Sequence, residues 1–200
     1  PDSKEKKSIS DLLIGIFYED INYAADGGLY AELVQNRGFE YSLSDKEGND
    51  KTWNNRYAWS STHMDAFHID SLSPIHPNNP HYAVLEIEHN GVALINDGFN
   101  GIPVKAGEKY DLSLFARSPE KKRGPVKVRL TGKNGEIYGE TTTGRIGNKW
   151  KKMKVVITVS ATAPDARIEL LPQQTGRVEL DMISLFPQNT FKGRKNGMRP

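Results

Sequence analysis

The sequence predicts an all-β protein, an antiparallel β-sandwich of the jelly-roll type. From Tyr82 onward, short runs alternate apolar with polar residues, and this period of two is typical of strands with one buried face. Turn residues separate the runs, for example Asn90-Gly91 and Asp97-Gly98. Many short strands at such spacing favour a sandwich or jelly roll over an α/β domain.

The predicted strands follow one another along the chain. Their inward-facing residues are Ala83, Leu85 and Ile87; Leu112, Leu114 and Ala116; Val126, Val128 and Leu130; Met153, Val155, Ile157 and Val159; Ile168 and Leu170; and Val178 and Leu180. In the last strand the apolar residues change face after Met182. Val178, Leu180 and Met182 share one face of the strand, whereas Ile183 and Leu185 lie on the other. Such a change predicts a β-bulge next to Asp181.

The first 80 residues are less regular. Leu12–Tyr18 is an apolar run that fits a strand buried on both faces. Residues 29–35 are the one helix candidate, and a packed loop is the alternative. Ser44–Pro80 is polar and irregular but carries several aromatic residues.

Composition limits the classes of function. The 200 residues suffice for one core, and the net charge of +2 points to neither nucleic acid nor an anionic membrane as partner. The basic stretches Arg117–Lys133 and Lys192–Arg199 lack interleaved aromatics for base stacking, so we expect them to be solvated. No apolar run is long enough to span a membrane. Without cysteine, disulfides and thiol chemistry are excluded.

Two long motifs carry a family resemblance. Gly15–Glu40, read as GIFYEDINYAADGGLYAELVQNRGFE, and the C-terminal Leu185–Pro200 closely resemble α-L-arabinofuranosidases of glycoside hydrolase family 51. The region between them resembles carbohydrate-binding modules of families 4 and 9. The resemblance implies that a sandwich is inserted after the first strand of a (β/α)8 catalytic barrel.

This resemblance divides the chain into four parts. Residues 1–11 would be a flexible N-terminus, and 12–35 would carry the first strand of the barrel. Residues 36–187 would form the module-like sandwich, and 188–200 would return toward the catalytic domain. Without its barrel, we expect the strand Leu12–Tyr18 to pair with a sandwich edge, to be disordered or to bind another copy.

The resemblance also assigns a role to Glu19. It implies that Glu19 contacts the arabinose ring in the active site of the parent enzyme. A retaining glycosidase needs two carboxyl groups about 5–5.5 Å apart, and in this family they lie on late barrel strands. We therefore expect no catalytic residue in this chain.

The resemblance also implies a structural calcium ion that ties the first and last strands of the sandwich together. In the resembled modules, the motif that matches Asn36-Arg-Gly-Phe-Glu40 and an aspartate in the last strand supply oxygen ligands, which assigns Glu40 and Asp181 to the metal. Calcium takes six to eight oxygens. Met182 stands where the family often has a second aspartate. The alternative is that both acids are solvated or paired with Arg37 or Arg177.

Aromatic residues are the candidates for sugar contact. Trp53, Tyr57 and Trp59 lie in the irregular segment, where a binding loop would place their rings against sugar; membership of the core is the alternative. We expect Tyr110 and Trp150, which flank alternating strands, to belong to the core. His63 and His68 lie five apart beside Asp65 and Asp70, but this spacing matches no zinc motif, and solvated histidines are favoured.

Together these features predict a non-catalytic, carbohydrate-binding-like module of an α-L-arabinofuranosidase that acts on arabinose-containing plant polysaccharides such as arabinan or arabinoxylan. The alternative is a structural domain that packs on the catalytic barrel without binding sugar itself. The expected partners are the cell-wall polysaccharide and the protein's own downstream catalytic domain. Family analogy predicts an exported protein. That the chain is itself a hydrolase ranks last.

Overall fold

The computed structural model describes Ser10, Gly15 and residues 23–46, 50–120 and 123–199. Within these ranges the chain forms β-strands and short 3-10 turns and no α-helix, which confirms the all-β prediction. Glu19 and, apart from Gly15, the run Leu12–Tyr18 lie outside the described residues, so the predicted barrel strand stays a prediction. In the described part of the chain, no helix has the length and apolar character needed to cross a membrane.

Two antiparallel sheets pack face to face. The six-stranded sheet has the order β1 (Trp59–Ser61), β4 (Leu94–Asn96), β10 (Ala163–Pro172), β7 (Pro125–Thr131) and β8 (Ile137–Arg145), with β5 (Ile102–Val104) also pairing with β10. The five-stranded sheet has the order β2 (Phe67–Asp70), β3 (Tyr82–Ile87), β11 (Gly176–Pro187), β6 (Lys109–Arg117) and β9 (Lys151–Thr158). The predicted sandwich is confirmed.

The core lies between the sheets and is built from the predicted alternation. In β6, for example, Leu112, Leu114 and Ala116 are buried, while Asp111 and Ser113 stand on the opposite face. Burying each large apolar side chain contributes about 1.5–3 kcal/mol. The inward face of each sheet therefore stabilises the fold, and the outward face is left for polar groups.

A bulge interrupts β11, as the change of parity predicts. The β11–β6 register holds to Asp181 opposite Phe115 and resumes at Ser184 opposite Ser113. Met182 adopts a left-handed backbone with φ of 48°. Because of the extra residue, both Asp181 and Ser184 take the outward parity while Ile183 returns to the core.

Residues 29–35 form the packed loop rather than the helix. Glu32 organises this loop, since its buried carboxylate accepts hydrogen bonds from the backbone N–H groups of Leu33, Val34 and Leu185. Ser184 donates its hydroxyl to the same carboxylate. Burial raises the pKa of Glu32. The carboxylate thus accepts backbone N–H groups that helical hydrogen bonds would otherwise satisfy.

The segments on either side of the sandwich meet each other. Tyr30 forms an isolated antiparallel bridge with Met198, and its ring lies 5.1 Å from that of Phe186. The Arg199 guanidinium donates to the carbonyl of Gly27 at 2.8 Å. Residues 23–30 and 190–199 therefore lie side by side at one end of the fold.

Candidate functional site

The Asn36–Glu40 motif forms a tight, buried loop. Asn36 is 4% exposed and has φ of 52°. Its amide nitrogen donates to the carbonyls of Asn55 and Tyr57, at 3.1 and 3.0 Å. Its carbonyl accepts the indole N–H of Trp59 at 2.9 Å. Asn36 thereby fastens this loop to the segment that carries the aromatic candidates.

Glu40 and Asp181 lie in the same region of the molecule. Both carboxylate oxygens of Glu40 bind His81, at 2.9 Å from its backbone nitrogen and 2.7 Å from its Nδ1. Asp181 is fully buried and accepts hydrogen bonds from Asn79 Nδ2 at 2.8 Å and from the backbone of Met182 at 2.6 Å.

Neither Arg37 nor Arg177 forms an ion pair with Glu40 or Asp181. Arg37 lies against Glu32, and Arg177 pairs with Asp70, Glu86 and Glu179.

Burial makes Asp181 electrostatically unusual. The pKa of its carboxyl is raised to about 8, mainly by desolvation and in smaller part by the negative charge of Glu40, while the hydrogen bonds from Met182 and Asn79 oppose the rise. Among the described residues, no cation pairs with this buried acid to compensate its charge.

The Asp181 region meets part of the requirement for a cation. A divalent ion beside Asp181 would supply positive charge there. Asn79 turns its amide nitrogen toward Asp181 and its oxygen toward Gly38, so this oxygen would become a ligand only after the amide reorients. Among the residues that the structure describes, however, no three His, Asp or Glu side chains are grouped to hold a metal. A calcium ion here would therefore depend on backbone carbonyls and water as well.

Trp59 belongs to the core. Its side chain is 6% exposed and lies against Phe39, with ring centroids 5.0 Å apart. With the indole N–H already bonded to Asn36, the residue anchors β1 and presents no open face for a sugar ring. For Trp59, the core alternative is the one that the structure favours.

Trp53 and Tyr57 form an aromatic cluster with Tyr41. Trp53 stacks on Tyr41 at a centroid distance of 4.3 Å and lies 4.5 Å from Tyr57. Trp53 is 8% exposed, whereas Tyr41 and Tyr57 are half-buried. Burial raises the pKa of both tyrosine hydroxyls. The edge of this cluster at Tyr57 is its best candidate for sugar contact.

The two aromatics assigned to the core differ. Tyr110 is 2% exposed and lies in the core. Trp150 is half-buried outside it, with its ring 4.6 Å from the guanidinium carbon of Arg117 and its N–H bonded to the carbonyl of Ser73.

A groove on the outward face of the five-stranded sheet was not anticipated. It runs across β6, β9 and β11 and is bordered by the loop at Lys195 and Asn196; its other lining residues include Asp111, Ser113, Lys152, Lys154, Ser184 and Phe186. The alternation already places the strand residues on one face. The C-terminal loop that closes the groove, however, could not be located from sequence.

In the basic stretch Arg117–Lys133, several cations have acidic partners. Arg117 pairs with Glu179, Lys127 and Arg129 pair with Glu140, and Lys133 lies 3.4 Å from Asp165. Cations that already have acidic partners present little free positive charge to a polyanion.

Two solved structures resemble this chain in fold. The CBM22-1 and GH10 modules of endo-1,4-β-D-xylanase 10B from Clostridium thermocellum, solved with xylohexaose, match 80% of this chain and 29% of that one at a TM-score of 0.54 and 12% identity. At this identity the likeness concerns the fold alone. An arabinose-bound family 51 α-L-arabinofuranosidase matches 91% of this chain and 30% of its own at a TM-score of 0.74 and 28% identity.

Sequence relatives define the family more closely. No family model matches the chain. The extracellular exo-α-L-arabinofuranosidase of Streptomyces chartreusis is 33% identical over 196 residues, covering 96% of this chain and 22% of the enzyme. α-L-Arabinofuranosidase 1 of Arabidopsis thaliana is 32% identical over 202 residues, covering 94% and 28%. The chain is thus homologous to an N-terminal portion of family 51 α-L-arabinofuranosidases and spans about a quarter of their length.

Proposed function

We propose that this chain is a non-catalytic, carbohydrate-binding-like module of an α-L-arabinofuranosidase that acts on arabinose-containing plant polysaccharides, such as arabinan and arabinoxylan. The observation that carries the proposal is the similarity to arabinofuranosidases over nearly the whole chain. Its sandwich fold, shared with a polysaccharide-degrading enzyme's modules, agrees with it. Attachment to the polymer would raise the local substrate concentration for a linked catalytic domain.

The outward groove and the Tyr57 edge are the two candidate sugar-contact surfaces. The groove combines carboxylate, hydroxyl and ammonium groups with an apolar floor at Phe186, which suits a ligand with many hydroxyls and an apolar ring face. Tyr57 offers a partly exposed ring with a polar hydroxyl. The two surfaces are distinguishable by mutation because they share no residue.

Calorimetry and affinity electrophoresis against arabinan, arabinoxylan, xylan and β-glucan test sugar binding. If the groove binds, Lys154→Ala should weaken binding about tenfold, the effect of losing one charged hydrogen bond. If the aromatic edge binds, Tyr57→Ala should have the corresponding effect. Lys133→Ala is the matched control, since Lys133 is also exposed but lies in the turn between β7 and β8. Flat responses to all four polymers would reject sugar binding by this chain.

A second candidate is a structural domain that packs on the catalytic barrel without binding sugar. An exposed apolar patch favours it, because the paired end segments present large apolar side chains to solvent; the exposed fractions are 49% for Leu29, 40% for Tyr30, 44% for Phe191 and 42% for Met198. Contiguous apolar surface of this kind marks an interaction site. The burial of Trp53 and Trp59 agrees with this reading.

Association with the catalytic domain of a family 51 relative tests the second candidate. Leu29→Asp combined with Met198→Asp should abolish binding to a separately expressed barrel domain, because it places two charges in an apolar interface. Leu72→Asp, at an 88% exposed residue elsewhere on the surface, is the control. Unchanged association of the double variant would contradict docking through this patch.

Structural calcium is part of the proposal. Glu40 and Asp181 would supply carboxylate oxygens, and the ion would tie the Asn36–Glu40 loop to the bulge of β11. Millimolar Ca²⁺ should then raise the melting temperature, and a chelator should lower it. Asp181→Asn should remove this response. If neither Ca²⁺ nor the chelator changes the melting temperature of the wild type, the calcium proposal is rejected.

Two further assignments rest on the relatives. We propose that Glu19 contacts arabinose in the active site of the whole protein, which is tested by the KM of a full-length Glu19→Gln variant. We also propose export, since one relative is named as extracellular; fractionation of the native host's culture tests this.

A further inference from the structure

We propose that His63 and His89 form a binding site for a divalent transition-metal ion of the zinc class, separate from the calcium region. Their Nε2 atoms lie 3.3 Å apart, with the imidazole rings nearly perpendicular at 83°. Two nitrogens that each bind one tetrahedral zinc at about 2.0–2.1 Å are separated by about 3.3–3.4 Å. The observed spacing is therefore that of a chelating pair.

The hydrogen bonds around Thr62 set the tautomer of His63. The Thr62 hydroxyl donates its single proton to the carbonyl of Gly91 at 3.1 Å and accepts the backbone N–H of Ala93 at 2.9 Å. Toward His63 Nδ1, 3.1 Å away, the hydroxyl can then act only as an acceptor. His63 therefore carries its proton on Nδ1, and its Nε2 lone pair faces His89, as metal-binding histidines require.

The backbone holds the two histidines on neighbouring connections between the sheets. His63 lies on the connection from β1 to β2, and His89 lies on the connection from β3 to β4. The backbone N–H of Thr62 also donates to the carbonyl of Ala93, at 3.1 Å. A metal ion at the histidine pair would join both crossings and so close one end of the sandwich.

Carboxylates give the site a favourable potential. The cavity that contains His63 and His89 is also lined by Asp65, Glu86 and Glu88. Of these, Glu86 forms an ion pair with Arg177 at 3.4 Å. Within the described parts of the chain, no third acid or histidine stands in ligating position with the pair. Water, or Asp65 or Glu88 after a rotamer change, would complete the coordination. Nitrogen ligands select zinc, nickel or copper over calcium.

Zinc and nickel titration of the untagged, metal-free chain tests the site. We expect one ion per chain by calorimetry and a rise in melting temperature. Both His63→Ala and His89→Ala should weaken binding at least tenfold, while His68→Ala, which alters the histidine that the sequence spacing associates with His63, should not. The two paired side chains are exposed, so the variants should fold.

Further arms separate a metal site from a simple hydrogen bond between two imidazoles. Thr62→Val should weaken zinc binding about tenfold, and Thr62→Ser, which keeps the hydroxyl, should restore it. Calcium should not compete. The proposal is overturned if the wild-type chain binds no zinc at millimolar concentration, or if either histidine variant binds as tightly as the wild type.

Discussion

The buried carboxyl of Asp181 gives this fold a pH-dependent stability that Asp181→Asn should remove. In the metal-free chain, burial moves the pKa of this group from its ordinary value of 3.8 to about 8. Between these two pH values the native state holds a proton that the unfolded state has released. The free energy of unfolding therefore falls as the pH rises through this window.

The size of the effect follows from the two pKa values. Each pKa unit is worth about 1.4 kcal/mol, so the whole difference is on the order of 6 kcal/mol above pH 8. Between pH 5 and pH 7 the group should cost about 3 kcal/mol. The amide that Asp181→Asn introduces does not ionise, so the variant should gain about that much stability relative to the wild type across the same interval.

Urea denaturation at pH 5, 6 and 7 in chelator measures this difference. Comparison of the two proteins at each pH cancels the other titrating groups, among them Glu32. Glu40→Gln is the matched variant: it removes the neighbouring charge and should reduce the slope only partly, because burial is the larger cause. If the free energy of unfolding of Asp181→Asn falls with pH as steeply as that of the wild type, the assignment of this pH dependence to Asp181 is wrong.

Three other substitutions test the packing around the site. Trp59→Ala should destabilise the fold by about 3–5 kcal/mol in urea unfolding, because it opens a cavity beside Phe39; a loss below about 1 kcal/mol would contradict its place in the core. Glu32→Ala should cost about 2–5 kcal/mol, because buried N–H groups lose their acceptor, whereas Glu32→Gln, which keeps an acceptor oxygen, should cost about 1 kcal/mol; equal losses would refute this role. Gly27→Ala should cost about 1–3 kcal/mol, since φ is +82° and the new Cβ would meet the Phe99 ring; an unchanged melting temperature would contradict the packing.

Much of the fold could be predicted because it depends on local alternation. The inward positions of β6, β7 and β10 follow directly from period two, and the parity change in β11 located the bulge. These signals are local because a strand turns successive side chains to opposite faces.

The sites were harder to predict because they depend on distant contacts. Sequence spacing groups His63 with His68, but the fold brings it to His89, 26 residues away. Glu32 gave no signal at all, since only its contacts with Ser184 and Leu185, at separations of 152 and 153 residues, explain its burial. Aromatic content marked Trp59 for sugar contact, although its indole N–H and ring are committed to Asn36 and Phe39.

The side-by-side course of residues 23–30 and 190–199 has a mechanical consequence. Tension applied between these two segments would load the contacts that join them, which are the Tyr30–Met198 bridge and the hydrogen bonds from Arg199 to Gly27 and Leu29. These contacts are few, whereas β10 and β11 each pair with their neighbouring strands over several residues. We therefore expect the end segments to separate under load before the strands of the sandwich do.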